Sequence, residues 1–376
     1  MSRSMRRRDK AIPIAMPWIG KDEFQAIKRV LLSRWLGQGP EVEKFERTFA
    51  NYIGTKFAVS VSSGTAALHS ALSAHDIGPG DEVILPTFTH IATANAVLYT
   101  GAKPIFVDID PYTYNIDPIF VKKALTRRTK AIIPVHYAGQ PAEMDQIMEI
   151  ATECGLIVIE DAAEAHGAMY KGKKAGSIGD AGCFSFAWNK NLTTGEGGMV
   201  TTNDEYLARV VKSLRNHGKA GTGQRGLHTR LGFNYKMTDI QAALGRVQLR
   251  KLERTIVRKV AKARCMSSKL RKIKGIVPPM ESSNVRHVYS MYTIRVSKEA
   301  GISRDALMKY LNRRAIDSRV YFTPVHLQPA FRASCPAQSF PFAEKTAKEV
   351  LTLPLYPELK AKDIDFIARS IRAALN

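Results

Sequence analysis

The chain has 376 residues, with 56 Lys and Arg against 34 Asp and Glu, a formal net charge of +22. A content of 45% hydrophobic and 24% charged residues is that of a globular protein with core enough for two domains, or one large one with an appendage, and excludes disorder as the main state. No run reaches the length of a membrane span. The cysteines Cys154, Cys183, Cys265 and Cys335 form no C-x-x-C pair, which speaks against a zinc site or disulfide framework and for a reducing, cytoplasmic setting.

Residues 1–10 form a basic tail, with Arg3, Arg6, Arg7, Arg8 and Lys10 against Asp9. The stretch Ala11–Trp18 behind it is short and broken by Pro13 and Pro17, so no secretory signal is expected. Short β-branched runs follow at Phe57–Val61, Glu82–Leu85, Lys103–Val107, Ala131–Val135 and Leu156–Glu160. They alternate with helix-like stretches at Thr65–Ala74, His90–Tyr99, Ile119–Leu125 and Ala142–Cys154. This alternation predicts βαβ units, an α/β fold with a mostly parallel sheet covered on both faces. Ligand-binding residues then belong at the carboxyl ends of the strands.

After Thr238 the pattern changes to a helix-compatible stretch from Asp239 to roughly Lys272. A Pro278-Pro279 break, a strand at His287–Val296, a helix at Ser303–Arg313, a strand at Ser318–Phe322 and a helix at Lys362–Ala374 complete it. The expected organisation is a tail over 1–10, a large domain over 11–245, and a linking helix with a small α+β domain over 246–376.

Three stretches carry chemistry. In Phe184-Ser-Phe-Ala-Trp-Asn-Lys190-Asn-Leu-Thr-Thr-Gly-Glu-Gly-Gly198, a lysine follows an apolar strand and precedes a glycine-rich turn. An amine so placed and partly desolvated can form a Schiff base, although a surface lysine before a loop fits the spacing too. In Leu156–Gly167 an apolar strand ends in Glu160-Asp161. Either carboxylate could cap the next helix, or could sit beneath a pyridinium nitrogen and keep it protonated. Ser62-Ser63-Gly64-Thr65-Ala66-Ala67 is a small polar turn opening a helix, suited to a phosphate or to an ordinary N-cap.

In this order the three stretches resemble the PLP-dependent aminotransferases of fold type I. More narrowly, the chain is similar to the sugar aminotransferases of the DegT/DnrJ/EryC1/StrS family. The resemblance covers nearly the whole chain. It runs through Trp35-Leu-Gly-Gln-Gly-Pro40, Ser62–Ala67, Gly80-Asp-Glu-Val-Ile-Leu-Pro86, Pro134-Val-His-Tyr-Ala-Gly-Gln140, Glu160–Gly167 and Ser185–Gly198. It continues in Asn234-Tyr-Lys-Met-Thr-Asp-Ile-Gln-Ala-Ala-Leu-Gly245, His326-Leu-Gln-Pro329 and Leu353-Pro-Leu-Tyr-Pro357.

The resemblance implies a large PLP-binding domain in which Lys190 holds pyridoxal 5′-phosphate (PLP) and moves a proton between the amino-acid α-carbon and the cofactor. It implies that Asp161 pairs with the pyridine nitrogen and that Gly64, Thr65 and Ser185 bind the phosphate. Glu164 is implied near the ring hydroxyl, and His326 in the substrate pocket. Asn234 is implied to reach the phosphate of a neighbouring subunit, hence a homodimer with shared active sites. The family usually has an aromatic stacked on the ring after Pro86-Thr-Phe-Thr89; here that position is His90.

The implied reaction is amino transfer from L-glutamate to a nucleotide-linked keto-hexose in amino-sugar biosynthesis, of polysaccharide or O-antigen type. A 4-keto-6-deoxy sugar is expected, because Thr193-Thr-Gly-Glu-Gly-Gly-Met-Val200 resembles perosamine-type 4-aminotransferases. Relatives with His in place of the lysine dehydrate sugars, so Lys190 favours transamination. A PLP-dependent dehydratase and a regulatory or DNA-binding protein on the same scaffold stand as alternatives. No helix-turn-helix, zinc-finger or RNP pattern supports nucleic-acid binding, and neither a metal nor a membrane partner is expected.

His136, His166, His287 and Tyr292 are explained by packing and loop hydrogen bonds as well as by a cleft. Trp18, Trp35 and Trp188 read as core or interface residues, Trp188 being the one near Lys190. Arg225 and Arg230 read as a solvated basic loop or as a site for a substrate carboxylate or phosphate. The charge is concentrated: residues 209–274 hold 19 Lys and Arg against Asp239 and Glu253. Arg246, Arg250, Arg254, Arg258 and Lys262 recur every four residues and predict one basic helix face, solvated or facing an anion such as a nucleotide diphosphate.

Overall fold

Apolar runs too short to be helices must pair edge to edge, and the helices between them must cover both faces. The computed structural model describes residues 11–220, 226–331 and 338–375. It contains strands β1 (Phe57–Val61), β2 (Glu82–Pro86), β3 (Lys103–Val107), β4 (Thr129–Ile132), β5 (Ile157–Asp161), β6 (Met169–Tyr170), β7 (Lys173–Lys174), β8 (Ala181–Ser185) and β9 (Gly198–Thr202). Strands β10 (Ile276–Val277), β11 (Val285–Arg286), β12 (Tyr292–Val296) and β13 (Val350–Leu353) follow.

Seven strands form the central sheet in the order β1-β9-β8-β5-β4-β2-β3. Neighbours from β8 to β3 are parallel, and β9 alone runs against the rest. The parallel α/β sheet expected from the alternation is therefore present.

The helices are α1 (Lys21–Ser33), α2 (Pro40–Ile53), α3 (Gly64–Ala74), α4 (Ile91–Tyr99), α5 (Pro118–Ala124), α6 (Met144–Cys154) and α7 (Glu205–Leu214). After them come α8 (Asp239–Leu270), α9 (Arg304–Arg313), α10 (Pro341–Glu349) and α11 (Ala361–Leu375). On one face of the sheet Val59, Leu85, Ile159 and Val200 pack with Leu68 and Leu72 of α3 and Val211 of α7. On another, Phe45 and Phe49 of α2 meet Phe184 and Phe186, with ring centroids 5.0–5.4 Å apart.

A separate apolar cluster gathers Met266 and Leu270 of α8, Ile294 of β12, Leu351 of β13, Leu307 of α9 and Ile367 of α11. It covers the small sheet β10-β12-β13. Ile12 joins this cluster rather than the central sheet, because its N–H donates to the Ala315 carbonyl at 2.7 Å and its carbonyl accepts from Asp317 at 3.0 Å.

Three expected strands are altered. The run Ala131–Val135 is regular strand, as β4, only to Ile132; Ile133 N–H still donates to the Ile84 carbonyl and the Pro134 carbonyl accepts from Asp161 N–H, but Pro134 has no N–H to continue the ladder. In His287–Val296 only β12 is strand; Val288 and Ser290 donate instead to the carbonyls of Gly139 and Ala138. Ser318–Phe322 is no strand: Arg319 makes one bridge with Thr352, and the chain then turns toward Pro324.

Helix α8 is 32 residues long, roughly 48 Å. The Thr238 hydroxyl accepts from the Gln241 N–H, and the Asp239 carboxylate accepts from the N–H groups of Gly39, Glu41 and Val42 at the start of α2. Of the basic repeat, Arg250, Arg254 and Arg258 are exposed as a solvated face requires, while Arg246 and Lys262 are half-buried. Arg246 pairs with Glu41, Lys251 is buried against Glu23 at 2.8 Å, and the Arg258 guanidinium lies 4.1 Å from the Trp18 ring centre. Among the described residues no helix is long and apolar enough to cross a membrane.

Candidate active site

The carboxyl ends of β1, β2, β5 and β8 open on one cavity of about 320 Å³. After β1, Ser63 caps α3, its hydroxyl accepting from Ala66 N–H at 3.1 Å. The N–H groups of the first turn, at Gly64 and Thr65, have no intrahelical partner and stand where an anion is favoured. Gly64 allows this close approach: a Cβ there would lie 2.8 Å from Ser185 Cβ. Gly198, in register with both Val61 and Ser185, is as constrained, since a Cβ would lie 2.2 Å from the Ser63 carbonyl oxygen.

At the end of β5, alternation sends the two acidic side chains in opposite directions. Glu160 turns away from the cavity. It accepts from Gly176, Ile178 and Gly179 N–H groups at 2.7–2.8 Å and meets His136 Nε2 at 2.9 Å. Asp161 faces the cavity, accepting from Thr93 Oγ1 at 2.8 Å and from Ala163 N–H at 3.2 Å. Burial pushes the Asp161 carboxyl above its usual range, against the Thr93 hydrogen bond that favours its charged form. A buried acid in that state ionises most readily opposite a cation.

After β8 the chain makes a tight turn in which Lys190 N–H donates to the Ala187 carbonyl at 3.1 Å. The turn returns at Gly197, whose carbonyl accepts from Phe186. Lys190 Nζ reaches Glu164 Oε1 at 3.0 Å, and Ala138 N–H fixes the other Glu164 oxygen at 2.8 Å. His90 caps α4, its Nδ1 accepting from Ala92 N–H at 3.2 Å. Enclosure by the cavity walls and the nearby Lys190 hold its imidazole below the usual pKa, so the ring is neutral at pH 7.

Lys190, Asp161, Glu164, Gly64, Thr65, Ser185 and His90 are thus brought to one cavity. Asn234 and His326 are not. Asn234 is exposed, on a segment whose neighbours Phe233 and Tyr235 turn inward onto His69. His326 is buried, with Nδ1 2.6 Å from Thr87 Oγ1 and Nε2 3.4 Å from Glu344, and lines no part of this cavity.

Sequence reasoning missed Thr93, whose signal was its place one turn after Thr89 at the start of a helix. Tyr321 and Phe322, also in the wall, gave none beyond aromatic character. His136, His166, His287 and Tyr292 are buried away from the cavity. Trp188 is 45% exposed beside Trp18 and Lys190. Arg230 lines a surface groove with Arg209, Lys212 and Lys219, while Arg225 and the tail 1–10 lie outside the described residues.

This sheet, with its site at the strand ends, is the fold of the fold type I PLP-dependent transferases. The chain belongs to the DegT/DnrJ/EryC1/StrS aminotransferase family, whose family model matches residues 17–372, and it is an aminotransferase of that PLP-dependent family. It is 41% identical to GDP-perosamine synthase of Caulobacter vibrioides over 97% of this chain and 98% of that one. It is 40% identical to the spore coat polysaccharide biosynthesis protein SpsC of Bacillus subtilis over 98% of each. S. venezuelae DesV, solved in complex with a ketimine intermediate, superimposes with a TM-score of 0.89 at 40% identity over 94% of each chain.

Proposed function

We propose that this chain transfers the amino group of L-glutamate to a keto-hexose linked to a nucleotide, with PLP held by Lys190, as a cytoplasmic homodimer with shared active sites. The observation that carries it is Lys190 paired with Glu164 in the same cavity as the buried Asp161 and the start of α3. The residues present fit the cofactor. The close approach of Gly64 to Ser185 leaves a backbone cradle suited to phosphate, and the buried Asp161 carboxyl calls for a cationic partner such as a pyridinium nitrogen.

PLP, when bound, supplies the electron sink that lets an amino acid lose its α-proton. Asp161, steadied by Thr93 and Ala163, holds a ring nitrogen in its cationic form. Gly64, Thr65 and Ser185 take the phosphate with N–H groups and a hydroxyl. Lys190 accepts a proton at Nζ and returns it, and Glu164 steadies the ammonium in between. His90, neutral and at the cavity mouth, offers a flat ring for stacking.

Similarity to GDP-perosamine synthase supports a 4-keto-6-deoxy sugar as acceptor. The exposed Asn234 and the exposed apolar side chains Phe24, Leu32 and Trp35 support a second subunit. In the test, PLP-loaded protein receives L-glutamate alone. Its visible absorbance should disappear, and a nucleotide-linked 4-keto-6-deoxyhexose should restore it with formation of the amino sugar. Absorbance indifferent to L-glutamate and to other amino acids would refute transamination.

A further inference from the structure

Midway along α8, Lys259 is only 4% exposed. Its Nζ donates to Asn191 Oδ1 at 2.7 Å and to the Ser290 carbonyl at 3.0 Å. Asn191, next to Lys190 in the chain, donates onward to the Val288 carbonyl at 3.1 Å. These bonds close a circuit around the Lys190 turn. Ser290 N–H donates to the Ala138 carbonyl at 2.8 Å, Ala138 N–H donates to Glu164 Oε2 at 2.8 Å, and Glu164 Oε1 accepts from Lys190. Displacing any member moves Lys190 relative to Glu164.

The titratable groups facing Lys259 are Glu164 and His166 from the segment after β5, Lys190 from its turn, and His287 from the segment before β12. Burial holds both histidines near a pKa of about 3, so they are uncharged at neutral pH. Glu164 is the one carboxylate among these groups, and its hydrogen bond among them goes to Lys190. Burial pulls the Lys259 amine down to about 7, with Glu164 opposing that shift and Lys190 adding to it.

We propose that Lys259 is a positioning residue for Lys190: its amine holds Asn191 against Ser290 and so keeps the Lys190 turn opposite Glu164. The inference rests on Lys190 being the lysine that takes PLP.

The test labels cofactor-free protein with PLP and cyanoborohydride and follows the pyridoxyl mass on the Lys190 peptide as a function of pH. Wild type should label at Lys190 with an inflection near pH 7. Lys259→Met and Asn191→Ala should each label at least about tenfold more slowly at pH 7, the scale of a displaced reacting group. The inflection should vanish in Lys259→Met and persist in Asn191→Ala, a difference that simple loosening of the turn would not produce. Wild-type labelling in either variant, or an inflection retained in Lys259→Met, overturns the proposal. Should Lys259→Met fail to fold, the Asn191→Ala rate decides alone. A wild type that labels elsewhere than Lys190 overturns both this inference and the assignment of Lys190, whereas normal Lys190 labelling in wild type and both variants overturns the inference alone.

Discussion

Lys190 and Glu164 meet at 3.0 Å across 26 residues of sequence, and the second Glu164 oxygen is held by Ala138 N–H. Glu164→Gln keeps an acceptor for Ala138 but faces Lys190 without a charge. The variant should fold normally, lose about 10- to 100-fold in kcat and keep KM for L-glutamate within about twofold, by steady-state kinetics. Wild-type kcat would make the pair a bystander.

The cradle between α3 and β8 has no room for a methyl group. Gly64→Ala should weaken PLP binding at least about tenfold, or 1.4 kcal/mol, in an absorbance titration. Gly198→Ala presses on a backbone oxygen that cannot rotate away. It should cost stability as well, about 2–3 kcal/mol in denaturant unfolding.

Thr93→Val removes the hydroxyl that donates to Asp161, a loss of about 1 kcal/mol or roughly fivefold in activity. That hydrogen bond favours the ionised form, so its removal pushes the carboxyl further up. More Asp161 is then protonated as pH falls. The deficit should therefore deepen on the acid side of the kcat profile; a deficit uniform across pH would contradict this account.

If His90 acts through its ring face and not its basicity, His90→Phe should bind PLP within about threefold of wild type. His90→Ala should bind at least about tenfold more weakly. Equal losses in the two variants would show that the imidazole nitrogens matter.

Lys259 makes stability depend on pH. Its amine titrates near its ordinary 10.5 in the unfolded chain but near 7 when folded, so between those values the unfolded chain binds more protons. The Lys259 contribution to stability then rises with pH across that window and is flat below about 7. The unfolding free energy of Lys259→Met relative to wild type should be most favourable near pH 6.5 and decline toward pH 9.5 in urea titrations.

Strand-helix alternation made the central sheet legible, because β1, β3 and β5 are runs whose character does not depend on partners. Strand β9, with its Gly-Met-Val-Thr-Thr sequence, was not legible, since it follows a glycine-rich turn and pairs antiparallel both with β8 just before it and with β1, far away in sequence. Lys190 and Asp161 could be read from their place at strand ends. Thr93 and Lys259 could not, because each acts through a contact more than 60 residues away in the chain, with Asp161 and Asn191 respectively. The basic repeat on α8 was legible as a face, with Arg250, Arg254 and Arg258 exposed, but periodicity does not show that Trp18 and Glu41 lie against it.

The two acids that end β5 also imply a fragility. Only the parity of the strand decides which of them becomes the reagent and which the buckle that fastens the 176–179 loop. Inserting one residue inside β5 ahead of Glu160 would bring Glu160 to the place of Asp161, offering the cavity a longer acid while unfastening the loop. Insertions and deletions here should thus be barred more strictly than substitutions, and any engineered lengthening of the strand has to come in pairs.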